Sequence, residues 1–148
     1  MDLEAMYTRM AKLMEQEGLP YSRRTHTYNS RLAQELGKWA EQQPGGAAIH
    51  DAMFRAYFVD TQNIGDPDVL VKIAERVGLP GDQARAVIAT RSYQAAIDAD
   101  WRRSRELGVT GVPTFVAGGY GVVGAQPYDV LAGLVRQVRQ EQAGGEKT

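Results

Sequence analysis

The strongest constraint on the fold is residues 108–116, which read Gly-Val-Thr-Gly-Val-Pro-Thr-Phe-Val. Proline donates no backbone hydrogen bond, so within a sheet it is confined to edges, bulges and the first residue of a strand. Here it follows a Gly-x-x-Gly turn and precedes β-branched and aromatic residues, which places Pro113 at a strand entry. We expect the Val112–Pro113 peptide bond to be cis, with a trans strand-entry proline as the alternative.

A β-hairpin is predicted directly after this proline. Residues 114–117 and 120–123 are short runs rich in β-branched and aromatic side chains, and Gly118-Gly119 between them suits a two-residue hairpin turn. Gly-Ala-Gln-Pro at 124–127 then leads into a closing helix. The apolar side chains expected on its buried face are Tyr128, Leu131, Leu134, Val135 and Val138.

The chain before residue 108 is predicted to be helical, because apolar residues recur there at intervals of three and four and glycine or proline ends each segment. The predicted helices cover residues 2–17, 30–42, 47–59, 66–77, 81–88 and 92–107. The first carries a methionine-rich stripe of Leu3, Met6, Met10, Leu13 and Met14. We interpret this stripe as core packing, with an adaptable groove for a partner as the alternative.

The composition excludes several classes of function. Seventeen Lys plus Arg against eighteen Asp plus Glu give a net charge of -1, so we expect no nucleic-acid partner. The opening lacks a leader pattern and no segment has the length of a membrane span, which favours a cytoplasmic location and no membrane contact. With no cysteine and only His26 and His50, we expect no catalytic thiol, no metal site and no cofactor.

The predicted sheet is small for the chain that contains it. A two-stranded sheet is marginal alone and leaves strand edges unpaired, so its apolar strands need a covering element, a partner strand or a second copy of the chain. We therefore expect a homo-oligomer. At 148 residues we expect a single domain, with a helical region at about 1–107, the proline loop, hairpin and closing helix at 108–141, and a disordered tail at 142–148.

The motif Gly-Val-Pro-Thr-Phe, followed by a hairpin, Gly-Ala-Gln-Pro and an amphipathic helix, resembles the cis-proline half of DsbA-like thioredoxin-fold proteins, in particular the FrnE-like branch. Further matches to its helical insertion lie upstream, at residues 28–33, 54–58, 63–70 and 99–101. The resemblance covers about residues 3–140. It implies an α/β fold, a partial thioredoxin-like fold with a β-hairpin and closing helix after a large all-helical insertion.

Members of this family normally begin with a strand, a Cys-x-x-Cys at a helix start and a second strand, none of which this sequence contains. The resemblance carries over Pro113 as the cis-proline, with Thr110, Gly111 and Val112 as the other substrate-binding residues. The backbone before such a proline pairs with an extended substrate segment. A related branch includes hydroxychromene-carboxylate isomerases and kappa-class glutathione transferases. It has a serine in place of the redox cysteines, and that serine also belongs to the N-terminal strand–helix–strand unit that this sequence does not contain.

Two functions follow as expectations. The first is a thiol–disulfide oxidoreductase of this family that is truncated and, without redox cysteines, inactive in exchange as given. The second is a non-catalytic module that binds a peptide or a second subunit along the sheet edge beside Pro113. No residue of this sequence is expected to be catalytic under either.

Overall fold

The computed structural model describes residues 3–145. Helices and strands follow in this order: α1 Leu3–Gln16, α2 Arg31–Ala40, α3 Ala48–Phe58, α4 Pro67–Arg76, α5 Gly81–Thr90, α6 Gln94–Glu106, β1 Thr114–Ala117, β2 Tyr120–Val123 and α7 Tyr128–Gly145. The described residues form a large helical region, then a two-stranded β-hairpin and a closing helix. This order of elements confirms the expected fold class. Tertiary contacts divide the chain between Ala99 and Asp100 into two compact units, each described separately below. The prediction of a single domain stays a prediction.

The first unit is built around a core shared by α2, α3, α4 and α5. Leu36, Ile49, Leu70 and Ile73 are its largest fully buried apolar side chains. Local signals start the helices: the Asn29 side chain accepts a hydrogen bond from Arg31 N at 2.9 Å. Ser30, the N-cap residue of α2, makes no side-chain capping bond, whereas Asp66 caps α4 by accepting from Asp68 N at 2.8 Å, with proline at the first helical position.

The methionine-rich stripe of α1 corrects the sequence-based interpretation. No residue of α1 is buried, and Leu3, Met6 and Met10 are exposed. Among the described residues of its unit no other helix packs against α1, and Leu13 and Met14 are only half-buried, so the periodicity identified an apolar face that no neighbouring helix there covers. Arg23, in the loop that follows α1, pairs with Glu4, and its guanidinium carbon lies 5.3 Å from the Tyr7 ring centroid.

The second unit contains the hairpin and α7. β1 and β2 pair antiparallel, with Thr114 opposite Val123 and Ala117 opposite Tyr120, at the predicted bounds. Gly118 and Gly119 make the turn with φ of 55° and 85°, a conformation that favours glycine. α7 packs against both strands and buries Leu134, but Tyr128 and Val135 are exposed, contrary to the expected buried face.

The closing helix also ends later than expected. α7 continues to Gly145, so residues 142–145 are helical and not part of a disordered tail. Gln142 and Ala143 favour helix and extend the hydrogen-bonded turns that precede them, which offsets the low propensity of the two glycines that follow. The predicted tail at 146–148 lies outside the described residues. Within residues 3–145 no helix is long and apolar enough to cross a membrane, and the cytoplasmic location stays a prediction.

Candidate functional site

The four predicted site residues lie together in the turn that enters β1. The Val112–Pro113 peptide bond is cis in this structure. Pro113 O accepts a hydrogen bond from Gly124 N at 2.8 Å, which continues the hairpin pairing one residue beyond the strands. Thr114 Oγ1 donates to Gly111 O at 2.6 Å and closes the turn from the other side. These two bonds fix the backbone on both sides of Val112.

Val112 itself is presented to solvent. Among the large apolar residues between positions 3 and 145 it has the most exposed side chain, at 91%. Within the part of the chain that the structure describes, its backbone N–H and C=O take part in no hydrogen bond. Because β1 pairs only with β2 among residues 3–145, the other edge of β1 is open beside this turn. The geometry leaves a backbone donor, a backbone acceptor and an apolar side chain for a ligand.

Other large apolar side chains of the second unit are exposed as well. Besides Val112 they are Trp101, Leu107, Phe115, Val116, Tyr120, Val123, Tyr128, Val130 and Val135. Phe115 and Val116 follow each other in β1 and therefore lie on opposite faces of the hairpin, so exposed apolar side chains occur on both faces.

Tyr120 is the titratable side chain of the hairpin that follows the turn. The sequence contains no cysteine, and residues 3–145 hold no cluster of three or more His, Cys, Asp or Glu side chains that could hold a metal. On the hairpin, Tyr120 donates from Oη to Glu141 Oε1 at 2.9 Å, and this hydrogen bond raises the pKa of Tyr120. A tyrosine held protonated beside a carboxylate supplies neither a nucleophile nor a base near neutral pH.

A second cluster, which the sequence analysis did not identify, lies in the first unit. Glu35 on α2 is 1% exposed and accepts two hydrogen bonds from Arg91, at 2.8 Å from Nε and 2.6 Å from Nη2. These bonds hold the pKa of Glu35 below its ordinary value. One signal was present: Glu35 lies three residues after Leu32 and four before Trp39, on the apolar face of α2. Its partner Arg91 lies 56 residues further along the chain, and no sequence pattern indicated that the two residues are in contact.

Comparisons with known proteins agree with the resemblance described above. The profile of the DSBA-like thioredoxin domain family matches residues 2–136. A curated relative, the uncharacterized protein YwbO of Bacillus subtilis, is 37% identical over 107 residues, which are 72% of this chain. The match spans 53% of YwbO, so the chain corresponds to about half the length of that relative.

Two solved structures share this fold. A probable DsbA oxidoreductase, SCO1869 from Streptomyces coelicolor, superposes with a TM-score of 0.84 at 33% identity over 93% of this chain and 60% of its own. A 2-hydroxychromene-2-carboxylate isomerase superposes with a TM-score of 0.81 over 96% of this chain and 70% of its own. Its identity is 17%, so that likeness concerns the fold. In both, a substantial part of the neighbour lies outside the match.

Proposed function

This chain belongs to the family of DSBA-like thioredoxin domains, and from that premise we propose that residues 110–113 bind an extended segment of a peptide or protein substrate. The observation that carries the proposal is Val112, whose unpaired backbone and exposed side chain lie at an open strand edge. An added strand takes its affinity from main-chain hydrogen bonds and its selectivity from the side chains along the edge.

The proposed role in thiol–disulfide chemistry is to hold the substrate. Exchange needs an attacking thiolate, and this sequence has no cysteine to supply one. A family redox pair would have to come from residues outside this sequence. The chain as given should therefore bind a peptide without reducing or oxidising it, and insulin reduction should stay at background. Turnover above background would overturn this assignment.

Peptide binding is tested by fluorescence anisotropy with a labelled, S-alkylated insulin B chain as the probe. Val112→Asp should weaken binding by about tenfold or more, because a carboxylate placed against an apolar segment loses solvation. Val130→Asp is the matched control, since Val130 is an exposed valine of the same unit on α7, outside the turn. Equal affinities for the two variants would refute binding at the turn.

A second candidate is self-assembly through the same open edge, supported by the exposed apolar residues of the hairpin and α7. Sedimentation equilibrium at micromolar concentration should give a mass above that of one chain, and Val112→Asp should lower it. A monomer under these conditions would contradict assembly while leaving peptide binding open to its own assay.

Sequencing the DNA upstream of the start codon would decide whether a strand and a Cys-x-x-Cys precede this sequence.

A further inference from the structure

Three of the five methionines of this chain lie on one face of α1. Met6, Met10 and Met14 follow one another at intervals of four residues, which places their side chains in a line along the helix. Met6 and Met10 are each 40% exposed, and Met14 is half-buried. Met53 on α3 differs from them, because it is 9% exposed and belongs to the core of the first unit. The chain therefore carries thioether sulfurs in two contrasting environments.

Packing does not explain why methionine occupies these positions of α1. In a core, methionine is favoured because its flexible side chain fills irregular gaps. No other helix among the described residues of the first unit packs against α1, so Met6 and Met10 fill no gap between helices there. Leucine, which occupies positions 3 and 13 of the same stripe, is also apolar and favours helix about equally. The property that methionine adds to this stripe is a thioether that an oxidant can reach.

We propose that Met6 and Met10 are a site of oxidation by hydrogen peroxide, and that α1 takes up this oxygen while the chain stays folded. In the reaction, a lone pair of the thioether sulfur attacks one peroxide oxygen, so that an S–O bond forms and the O–O bond breaks. The hydroxide that leaves takes the proton of the new S–OH group and becomes water. Each sulfur is oxidised by two electrons to the sulfoxide, and the peroxide is reduced.

The location of the two residues makes this oxidation compatible with the fold. A sulfoxide is polar, and within a core it disrupts packing. Met6 and Met10 are not part of the core of the first unit, whose buried members lie between Ala33 and Ile88. Oxidation of α1 thus replaces apolar surface by a polar group that water can solvate. Oxidation of Met53 would instead place an S=O group without a hydrogen-bond partner among buried side chains.

The test is treatment of the full chain with an excess of hydrogen peroxide at neutral pH, followed over time by tryptic peptide mapping. Trypsin cleaves after residues 9 and 12, so the three methionines of α1 appear on separate peptides, and fragment ions distinguish Met6 from Met1. Met6 and Met10 should each become sulfoxide at least about fivefold faster than Met53, because oxidation follows exposure of the sulfur. A smaller ratio would overturn the assignment.

A second measurement asks whether the fold survives the oxidation. When Met6 and Met10 have reacted and Met53 has not, the midpoint of urea denaturation should equal that of the untreated chain. Methionine sulfoxide reductase should then return both residues to the thioether without unfolding the chain, because both side chains are exposed. A lowered midpoint, or sulfoxides that are reduced only in urea, would refute an oxidation that the folded chain accommodates.

The matched control is a double variant, Met6→Leu with Met10→Leu, which keeps the apolar stripe and the helix propensity but removes two sulfurs. It should fold like the native chain by circular dichroism and take up two oxygen atoms fewer per chain. Met53 should react in it at the native rate. Unchanged oxygen uptake in the double variant would show that the peroxide reacts elsewhere and would contradict the proposal.

The proposal does not depend on peptide binding at residues 110–113. The oxidation site lies in the first unit and the Pro113 turn in the second. Each therefore stands or falls by its own assay.

Discussion

The hairpin that carries the Pro113 turn is held against α7 through Gly118, and replacing this glycine tests that contact. A Cβ at Gly118 would lie 2.8 Å from Val138 Cγ2 and 2.9 Å from Val138 Cγ1. Ordinary carbon–carbon contacts are about 3.5–4.0 Å. Both methyls of the β-branched valine are too close, and turning its χ1 by about 120° moves one of them away but leaves a methyl at the other position, so the overlap is reduced and not removed.

The magnitude follows from comparison with the neighbouring glycine. Gly119 has φ of 85°, and a Cβ there meets no atom within 4 Å. Gly119→Ala should therefore lower the free energy of unfolding by about 0.5–1 kcal/mol, which is the cost of left-handed alanine less the entropy that alanine removes from the unfolded chain. Gly118→Ala shares this cost and adds overpacking of about 1–3 kcal/mol.

Urea denaturation followed by far-ultraviolet circular dichroism measures these differences. Val138→Ala should lower stability in the native background, since Val138 is half-buried, but should recover stability in the Gly118→Ala background by removing both overlapping methyls. Equal losses for Gly118→Ala and Gly119→Ala, or no recovery with Val138→Ala, would show that the hairpin does not rest on α7 as described.

Three further predictions concern the first unit. Ile73→Ala should lower the free energy of unfolding by about 2–5 kcal/mol, because Ile73 is 1% exposed in the core, and a loss under about 1 kcal/mol in urea denaturation would contradict that packing. Asp66→Ala should cost about 1 kcal/mol through loss of the α4 cap, whereas Asp66→Asn should retain most of the stability in the same assay. Since the pKa of Glu35 is lower in the folded chain, its ion pairs stabilise the fold above the unfolded pKa, and this contribution is lost as pH falls through the folded pKa. Thermal unfolding between neutral and acidic pH should therefore show a smaller pH dependence for Glu35→Gln than for the native chain, and an identical dependence would exclude a role for Glu35.

The sequence predicted helices and strands well where neighbouring residues determine where they begin and end. Glycine pairs and β-branched runs gave both strands at their observed bounds, and Asp66 with Pro67 marked the start of α4. The family resemblance was confirmed by the profile match. The binding role of residues 110–113 stays a prediction, because local sequence describes the turn and not what binds to it.

The parts that could not be predicted depend on distant residues. The stripe on α1 has the periodicity of a buried helix, but periodicity does not say whether another element covers the face. Glu35 and Arg91 meet across 56 residues, and their hydrogen bonds follow from how α2 packs against α5. No spacing rule within one helix reports such a pair.

Arg91 shows how backbone and side chain can favour different amino acids at one position. Its left-handed φ favours glycine, while its bidentate contact with Glu35 requires a guanidinium. Glycine would relieve the backbone and leave a buried carboxylate with a weaker partner; lysine would retain the charge and still carry the backbone cost. Few substitutions can satisfy both demands at once, so position 91 should tolerate far less variation in a saturation library than its partial exposure suggests.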